Sequence, residues 1–410
     1  MMKVKANGYA ARVMLAFLAT AGLFYVNIMP ALVSGLISGL EFSNKDAGLV
    51  GSLNIYGAAV GAFAAIFIIR RIEWKPVCIG LLLAIIAIDF ASMLLTTEIA
   101  LMVLRAIHGF VGGLLVGVSF AVIARTEEVH KTFGMLLLVQ FGLGGLGVWA
   151  LPPLVPVFGS WILFMALIAF STAALIMTFF LPDYPVKMRD SKAVIAPVQK
   201  GPLAASVTAV FLFQAANMAL YAYIIDLGEQ AGLTLDTISP ALGVSAWMGI
   251  LGSLAVIALA TKWGRTLPIM LGIFVTAAAT YALHYSFSPA VFWLANIAVG
   301  ITWAFSIAYM LGVCSEFDKA GQMAALGGFA SKMGLASGPM FAAFIVNDSN
   351  YEQLINVAVV LLVIGALATI YPSRLLDRQD RQAAAETDTK AEAEAEAKAE
   401  TQTTAAQTPP

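Results

Sequence analysis

Long runs of apolar residues follow one another along almost the whole chain. An α-helix rises about 1.5 Å per residue, so about 20 such residues cross the hydrocarbon core of a bilayer. Runs of this length cover residues 11–36, 46–69, 76–95, 99–122, 133–157 and 160–181 and, after a polar stretch, 203–225, 239–261, 268–287, 289–313, 323–346 and 353–372. The pattern predicts twelve membrane-spanning helices in two sets of six.

The composition agrees with this prediction. Hydrophobic residues make up 60% of the chain and charged residues 11%, and the mean hydropathy is +0.88. A soluble domain is usually about 25% charged, which excludes that class. A net charge of −1 gives no reason to expect nucleic acid as a partner. Cys78 and Cys314 have no Cys or His partner nearby in the sequence, so we expect small core residues rather than a metal site.

The basic residues indicate how the helices are oriented. If the N-terminus is cytoplasmic, the predicted inner segments hold 20 of the 23 Lys and Arg residues, and the outer loops hold only Lys45. This bias is what the positive-inside rule requires. We therefore expect cytoplasmic N- and C-termini. The first apolar run is too long for a signal peptide, and we interpret it as a retained helix.

The two sets of six helices resemble each other at an offset of 192 residues. Gly51 matches Gly243, Pro76 matches Pro268, and Gln140 is equivalent to Lys332. Both copies begin on the same side, which predicts parallel repeats. We expect an all-α integral membrane protein with two parallel-repeat six-helix bundles. The expected segments are an N-terminal bundle at 1–181, a cytoplasmic linker at 182–202, a C-terminal bundle at 203–376 and a disordered or loosely helical low-complexity tail at 377–410.

Three motifs add a family resemblance over about residues 9–373. The segment 104–109, LRAIHG, is similar to an R-x-x-Q-G pattern with His for Gln, and 159–164, GSWILF, is similar to G-W-R-x-x-F. The loop 261–265, TKWGR, is similar to a D-R-x-G-R-R gating loop with Thr for Asp. Together with the 6+6 layout, these motifs resemble the major facilitator superfamily. The resemblance implies gating loops that contain Arg70, Arg71, Lys75, Lys262, Gly264 and Arg265.

The resemblance also implies alternating access, with a solute bound between the two halves. In that family, spans five and eleven border the central cavity. Lys332 lies in span eleven, where no acidic residue of the same helix can pair with it, and Gln140 lies in span five. We expect both to contact substrate; the alternative for Lys332 is a structural bond to backbone carbonyls. A charge at this depth costs about 2.5–3.5 kcal/mol on insertion scales, which favours a functional role.

Arg105 is a second cation at membrane depth. It lies at a height similar to that of Asp89, because each is about eight residues from the turn that joins their helices. Either the two form a structural ion pair, or Arg105 faces the cavity and binds an anionic group. In the second case, Asp89 and the neighbouring His108 are candidates for proton coupling. We expect Asp226, at the outer end of span seven, to be a solvated end charge.

Uncharged polar residues with helical spacing complete the predicted substrate site. They face the bundle because amides are costly in lipid, and they either join helices or contact substrate. The residues are Asn27 in span one, Gln214, Asn217 and Tyr221 on one face of span seven, and Asn296 and Trp303 on one face of span ten.

The sequence thus predicts a secondary active transporter, proton-coupled, for a small organic anion such as a carboxylate. The alternative is an exporter of neutral or amphipathic compounds. A membrane-embedded enzyme is disfavoured, since the three histidines lie on different segments and no paired carboxylates occur; a scaffold or receptor fits mid-membrane charge less well. We expect no catalytic residue, metal or cofactor. The expected setting is a monomer in the lipid bilayer of a bacterial inner membrane.

Overall fold

The computed structural model describes residues 3–69, 72–185, 199–260, 262–317, 322–346 and 350–406, and the regular structure in these ranges is helical. An isolated backbone bridge joins Lys262 and Gly264. Helices suit a bilayer because a spanning helix satisfies its backbone N–H and C=O groups within its own segment.

The first half of the chain forms helices α1 to α9, with a short 3-10 helix at Pro152–Leu154. The α-helices are Tyr9–Ala21 (α1), Phe24–Asn27 (α2), Met29–Leu40 (α3), Asn44–Ile68 (α4), Trp74–Met93 (α5), Glu98–Ile123 (α6), Val129–Ala150 (α7), Val155–Phe158 (α8) and Trp161–Phe180 (α9).

The second half forms helices α10 to α16, with a 3-10 helix at Leu283–Tyr285. The α-helices are Lys200–Ala222 (α10), Ile224–Gln230 (α11), Leu235–Leu259 (α12), Thr266–Ala282 (α13), Pro289–Glu316 (α14), Gln322–Ile345 (α15) and Tyr351–Ala406 (α16).

Ten helices of the described ranges are long and apolar enough to cross a membrane. The first expected span is divided into the shorter apolar helices α1 and α3, and the eleventh is α15, which has 24 residues. The seventh is also interrupted, between α10 and α11 at Tyr223. The chain is therefore an all-α integral membrane protein, as the apolar runs predicted, and the leading helix of each half is broken.

The low-complexity segment continues the last helix. We expected residues 377–410 to be disordered or loosely helical, and α16 runs to Ala406. Ala, Glu and Lys are strong helix formers, so this composition extends a helix that packing has already started. The expected linker at 182–202 lies largely outside the described residues.

Within each half, glycine lets two helices approach until their backbones touch. A Cβ on Gly109 of α6 would lie 1.8 Å from the carbonyl oxygen of Asn54 on α4. A Cβ on Gly300 of α14 would lie 2.4 Å from the carbonyl oxygen of Ser245 on α12. The two glycines are equivalent in the sequence repeat, with a one-residue slip, and they occupy equivalent helix crossings. The repeat is therefore also present in three dimensions.

The hydrogen bonds between the two halves are not spread evenly along the helices. We refer to the end formed by residues 41–43 and 231–234 as the predicted outer end, and to the end formed by 124–128 and 262–265 as the predicted inner end. Between the described residues, the bonds that join the halves all lie from mid-depth to the predicted outer end. They are Asn44 to Val346, Ser52 to Ala336, Tyr56 to Ser337, Tyr221 to Asn27, Tyr223 to Asn44, and Trp247 to Gly142. The halves thus meet at that end.

Candidate functional site

One polar group at mid-depth joins the two halves through Asn27. Its amide Nδ2 donates to the carbonyl oxygen of Gln140 at 3.3 Å, and the Gln140 Nε2 donates back to Asn27 Oδ1 at 3.1 Å. The hydroxyl of Tyr221, from the second half, donates to the Asn27 carbonyl oxygen at 2.9 Å. Asn27 lies at the break between α2 and α3, where the interrupted helix leaves a carbonyl free for this bond. Three predicted site residues from three spans therefore meet here.

A second polar group lies within the second half. The indole Nε1 of Trp303 donates to Gln214 Oε1 at 2.7 Å, and Gln214 Nε2 donates to the Ser331 hydroxyl at 2.7 Å. Gln214 is buried, while Trp303 is partly exposed. The bond to Gln214 holds the Trp303 ring in one orientation, and the residue keeps part of its surface exposed. This group brings two further predicted residues together beside Lys332, the neighbour of Ser331 in α15.

An aromatic contact connects the two polar groups. The ring of Phe141, next to Gln140 in α7, packs edge-on against Trp303 with centroids 6.3 Å apart. Spans one, five, seven, ten and eleven thus contribute to a single layer across the middle of the molecule. We call Asn27, Gln140, Phe141, Gln214, Tyr221, Trp303 and Lys332 the central layer.

Lys332 is the cation of the central layer. It lies near the middle of α15 and is partly exposed. Among the described residues it forms no ion pair, and its ammonium group is not sealed from solvent. A charge at this depth that remains accessible and has no counterion can attract an anion from solution.

Asn217 and Asn296 do not join the central layer. Each is buried, and each donates its side-chain amide to a carbonyl oxygen of its own helix, Phe213 at 2.7 Å and Phe292 at 2.8 Å. An amide that bonds to the preceding helical turn has fewer hydrogen bonds left for a ligand. Helical spacing put these residues on the same faces as Tyr221 and Trp303, but the bonds inside each helix decide what they contact.

Arg105 lies elsewhere, inside the first half. Its side chain has no exposed surface, and its Nη1 donates to Asp89 Oδ1 at 2.7 Å. Its Nη2 also donates to the Ser92 hydroxyl. Its guanidinium lies 5.2 Å from the ring centroid of Phe164 and 5.8 Å from that of Tyr25. Of the two alternatives raised by the sequence, this arrangement is the structural ion pair; Arg105 does not face Lys332 across a cavity.

His108 completes this buried cluster. Its Nε2 lies 3.3 Å from Asp89 Oδ1, and its Nδ1 lies 2.8 Å from the side-chain amide nitrogen of Asn54. The amide can only donate, so Nδ1 accepts, and the proton of a neutral ring is on Nε2, facing Asp89. Asp89 is fully buried between two partners. In this conformation neither predicted coupling residue is open to solvent.

The predicted gating loops differ in what they contact. Arg70 and Arg71 lie outside the described residues. Lys75 donates to the carbonyl oxygen of Leu181 at 2.6 Å, which ties α5 to the end of α9. Lys262 bridges to Gly264, whose φ of 69° places it in the left-handed region that glycine tolerates.

Arg265 is the charged centre of the second loop. It is bound by Glu316 at the end of α14 and by Asp380 of α16, the latter at 2.7 Å. Burial tends to lower the pKa of the guanidinium, but the hydrogen bonds and charges of Glu316 and Asp380 prevail and raise it. Asp377 accepts the backbone N–H of Arg265 at 2.8 Å. The acidic partners that the loop itself lacks therefore come from α14 and α16.

Several residues at the meeting of the halves were not predicted. The Tyr56 hydroxyl lies 2.7 Å from the Ser337 hydroxyl, and the Trp247 indole donates to the Gly142 carbonyl oxygen at 3.0 Å. Tyr223 is buried and donates to the Asn44 carbonyl oxygen at 2.8 Å. A single polar residue in an apolar run gives little indication in the sequence that it will contact the other half. The interruption of span seven at Tyr223 has no proline or glycine to mark it.

Taken together, the fold and the central layer define a helical membrane protein whose two halves enclose a polar layer at mid-depth. Its sequence matches the profile of the Major Facilitator Superfamily over residues 13–339. The chain belongs to the Major Facilitator Superfamily, and is thus a member of a family of membrane transporters. A comparison with curated protein sequences gives no match.

Solved structures with this fold include three transporters. A mutant of the nucleoside transporter NupG has 16% identity and a TM-score of 0.68, covering 88% of this chain and 98% of its own. A D-xylose-proton symporter has 15% identity and a TM-score of 0.69, covering 88% and 96%. A bacterial homologue of the human lysosomal transporter Spinster, in an inward-facing and unoccupied conformation, has 14% identity and a TM-score of 0.66, covering 90% and 98%. At these identities the likeness concerns the fold.

Proposed function

We propose that this chain is a secondary active transporter that carries a small organic anion, such as a carboxylate, by alternating access and with protons as the coupling ion. The family membership supports transport rather than an enzymatic role. The hydrogen bonds between the halves, concentrated from mid-depth to the predicted outer end, support alternating access. Such a mechanism needs an interface that closes one side at a time.

The proposed substrate class depends on Lys332, whose charge is accessible and has no counterion among the described residues. An ammonium group in a partly dehydrated site gains most from a ligand that brings a negative charge and hydrogen-bond acceptors. The neighbouring amides of Gln214 and Gln140 are donors to further ligand oxygens. Trp303 and Phe141 offer apolar faces for the body of the ligand. The layer therefore suits a compact anion with an apolar part.

The alternative is export of neutral or amphipathic compounds. The specific observation in its favour is the aromatic content around the central layer. Trp149 and Trp247 pack edge-on across the two halves with centroids 5.9 Å apart, and Phe141 and Trp303 do the same at 6.3 Å. An exporter of this kind would bind without needing the charge of Lys332.

A thermal-shift experiment with a matched ligand pair separates the two functions. Benzoate and benzamide have the same ring and nearly the same shape, and they differ in charge. For the purified protein in detergent, we expect benzoate to raise Tm in a concentration-dependent manner and benzamide to leave it unchanged. Stabilisation follows binding to the folded state by mass action. The series extends to aliphatic carboxylates and their amides.

The Lys332→Gln variant tests the residue. We expect it to lose the response to carboxylates while its Tm without ligand stays within a few degrees of the wild type, since Gln keeps a polar side chain in the layer. The matched control is Lys131→Gln, an exposed lysine at the start of α7. If both variants retain the benzoate response, or if amides stabilise as well as carboxylates, the anion proposal is wrong.

The remaining assignments are part of the same proposal. We take residues 1–181 and 203–376 as the two moving bundles, joined by 182–202, with 377–410 as the tail. The positive-inside bias supports cytoplasmic termini, and the simplest setting is a monomer in a bacterial inner membrane. Asp89 and His108 remain the sequence-derived candidates for coupling. Their role requires the buried cluster with Arg105 to open during the cycle.

A further inference from the structure

Asp226 lies where the two halves meet at the predicted outer end. It belongs to α11 of the second half, and α11 packs against α3 of the first half. We expected a solvated end charge. Instead, its Oδ2 is buried and has no hydrogen-bond partner among the described residues. The hydroxyl of Ser34, on α3, lies close to its carboxyl group. A residue of the first half therefore lies against this carboxyl group where the halves meet.

Among the described residues, the groups that face Asp226 on its own half bring no positive charge. Glu229 lies one turn further along α11, and it adds a second carboxylate. Tyr351, at the start of α16, is buried and interacts with both acids. Gly228 of α11 packs on the apolar side chains of Ile238 and Phe292, from α12 and α14.

In the part of the first half that the structure describes, no residue supplies a counterion either. In α4 of the first half, the carboxylate of Asp46 accepts a hydrogen bond from Ser43 at the start of its own helix. The basic residue of this region, Lys45, lies with its Nζ 5.1 Å from the ring centroid of Phe344 and forms no ion pair among the described residues. Asp226 is partly exposed as a residue, but its Oδ2 is enclosed among acids and hydroxyls, whereas Asp89 is paired with Arg105.

Enclosure without a counterion makes the two protonation states of Asp226 unequal. The charged carboxylate would lose hydration when the halves close and would repel Glu229, whereas the neutral acid loses much less. When the halves separate, water reaches the carboxyl group and the charged form is again stable. Closure at this end therefore favours the protonated acid, and deprotonation favours the open end.

We propose that Asp226 is a proton-binding site whose protonation permits the predicted outer end to close. A proton taken up at the open end would accompany the transition to the conformation that is closed there, which is the step that a proton-coupled carrier needs. The proposal rests on the alternating access of the proposed function and is independent of the identity of the solute. It assigns coupling to a carboxyl group at the interface of the halves.

Spin-label distances test this proposal without any solute. Cys78 and Cys314 are replaced by Ala, and Cys is introduced at Thr96 and Ala290, which are exposed at the predicted outer end, one in each half. Distances between the labels are measured by pulsed EPR in lipid nanodiscs between pH 5 and pH 9. For the wild type we expect one short distance at low pH and a growing longer population as pH rises. In D226N we expect the short distance at every pH and loss of the growth of the long population with pH, because an amide cannot ionise.

The control is Asp236→Asn, which removes an exposed carboxylate at the same end and should leave the pH response unchanged. If D226N does not fold, Asp226→Ser replaces it, and the same short distance is expected. A wild type whose label distances ignore pH overturns the proposal, as does a D226N protein that keeps the wild-type response. No anion is present, so a failure of the Lys332 experiment leaves this result intact, and the reverse also holds.

Discussion

At the residue scale, the two membrane-depth cations of this chain have opposite environments. Arg105 is enclosed with Asp89, His108 and Ser92, and its charge is neutralised within the first half. Lys332 has no such partner among the described residues and keeps accessible surface. The same cost of burying charge therefore leads to a structural pair in one place and to a candidate binding group in the other.

The buried pair makes a prediction about stability. Arg105→Gln or Asp89→Asn alone leaves one uncompensated buried charge, and we expect each to destabilise the fold by about 3–5 kcal/mol. The double variant Asp89→Asn with Arg105→Gln removes both charges and should recover much of this loss. Thermal unfolding in detergent, with the folded fraction checked by gel filtration, measures the effect. A double variant less stable than both single variants would contradict a neutralising pair.

At the element scale, glycine decides which helices form the rigid core of each half. A Cβ on Gly113 of α6 would lie 2.1 Å from the carbonyl oxygen of Ala58 on α4. The nearest atoms at this crossing belong to the backbone of Ala58, so no flexible side chain can move away to make room. Helix pairs in membranes commonly rely on small residues in this way, since lipid offers no hydrophobic drive for association.

We predict that Gly113→Ala lowers stability by roughly 1–3 kcal/mol, the usual range for overpacking. The matched control is Gly80→Ala in α5, where an added Cβ would meet nothing within 4 Å. Alanine is the better helix former, so Gly80→Ala should be neutral or slightly stabilising. Tm values of the two variants, measured side by side, check the prediction; equal Tm values would show that the crossing tolerates a wider spacing.

The last helix also fixes the loop before α13. Asp377 of α16 accepts the backbone N–H of Thr266 at 3.0 Å and its hydroxyl at 2.6 Å, besides the N–H of Arg265. These N–H groups belong to the N-cap residue and the first residue of α13, at a helix end where backbone N–H groups lack partners within the helix and where the N-cap side chain makes no capping bond. An acid distant in sequence thus caps the helix and neutralises its positive end.

We therefore expect Asp377→Asn to lower the free energy of unfolding by about 0.5–2 kcal/mol, as loss of a cap does. The control is Asp380→Asn, because Asp380 pairs with the same Arg265 but is 61% exposed, and exposed pairs contribute little. Chemical denaturation of both variants in the same detergent gives the comparison. A larger loss for Asp380→Asn would show that the ion pair matters more than the cap.

At the scale of the whole molecule, the structure is in a conformation closed at the predicted outer end. Tyr223 sits at this closure, where its hydroxyl bonds to α4 at Asn44 and its ring end occupies the space above Gly48. A Cβ on Gly48 would lie 1.7 Å from the Tyr223 hydroxyl oxygen. Both halves contribute to this contact, so it exists only when they are together.

Gly48→Ala should therefore shift the protein towards the form that is open at this end. Ser52, which is buried and donates to the Ala336 carbonyl oxygen in the closed form, reports the shift when replaced by Cys. In a background without Cys78 and Cys314, we expect a membrane-impermeant thiol reagent to label Ser52→Cys at least several-fold faster once Gly48→Ala is added. Unchanged labelling would mean that Tyr223 moves aside and the closure survives.

Some features of the molecule follow from particular residues of the sequence alone. The apolar runs predict the membrane-spanning helices, because hydrocarbon fixes their length and composition, and counting from a turn places Asp89 and Arg105 at one height. Gln140 and Asn27 can be expected to face inward but not to bond to each other. Helical spacing puts Asn217 and Asn296 on the right faces, yet it does not show that each bonds to its own helix.

The sequence by itself determined the helical membrane class, the repeat and the membrane-depth charges. Each of these follows from the residues of a single segment, because lipid makes unpaired backbone groups and charges costly wherever they occur. Only the tertiary structure decided that Arg105 is paired while Lys332 is accessible, that Asp377 caps a distant helix, and that Asp226 is enclosed where the halves close. These outcomes depend on contacts between segments far apart in the chain. Their free energies are differences between packed arrangements, which no local pattern of residues encodes.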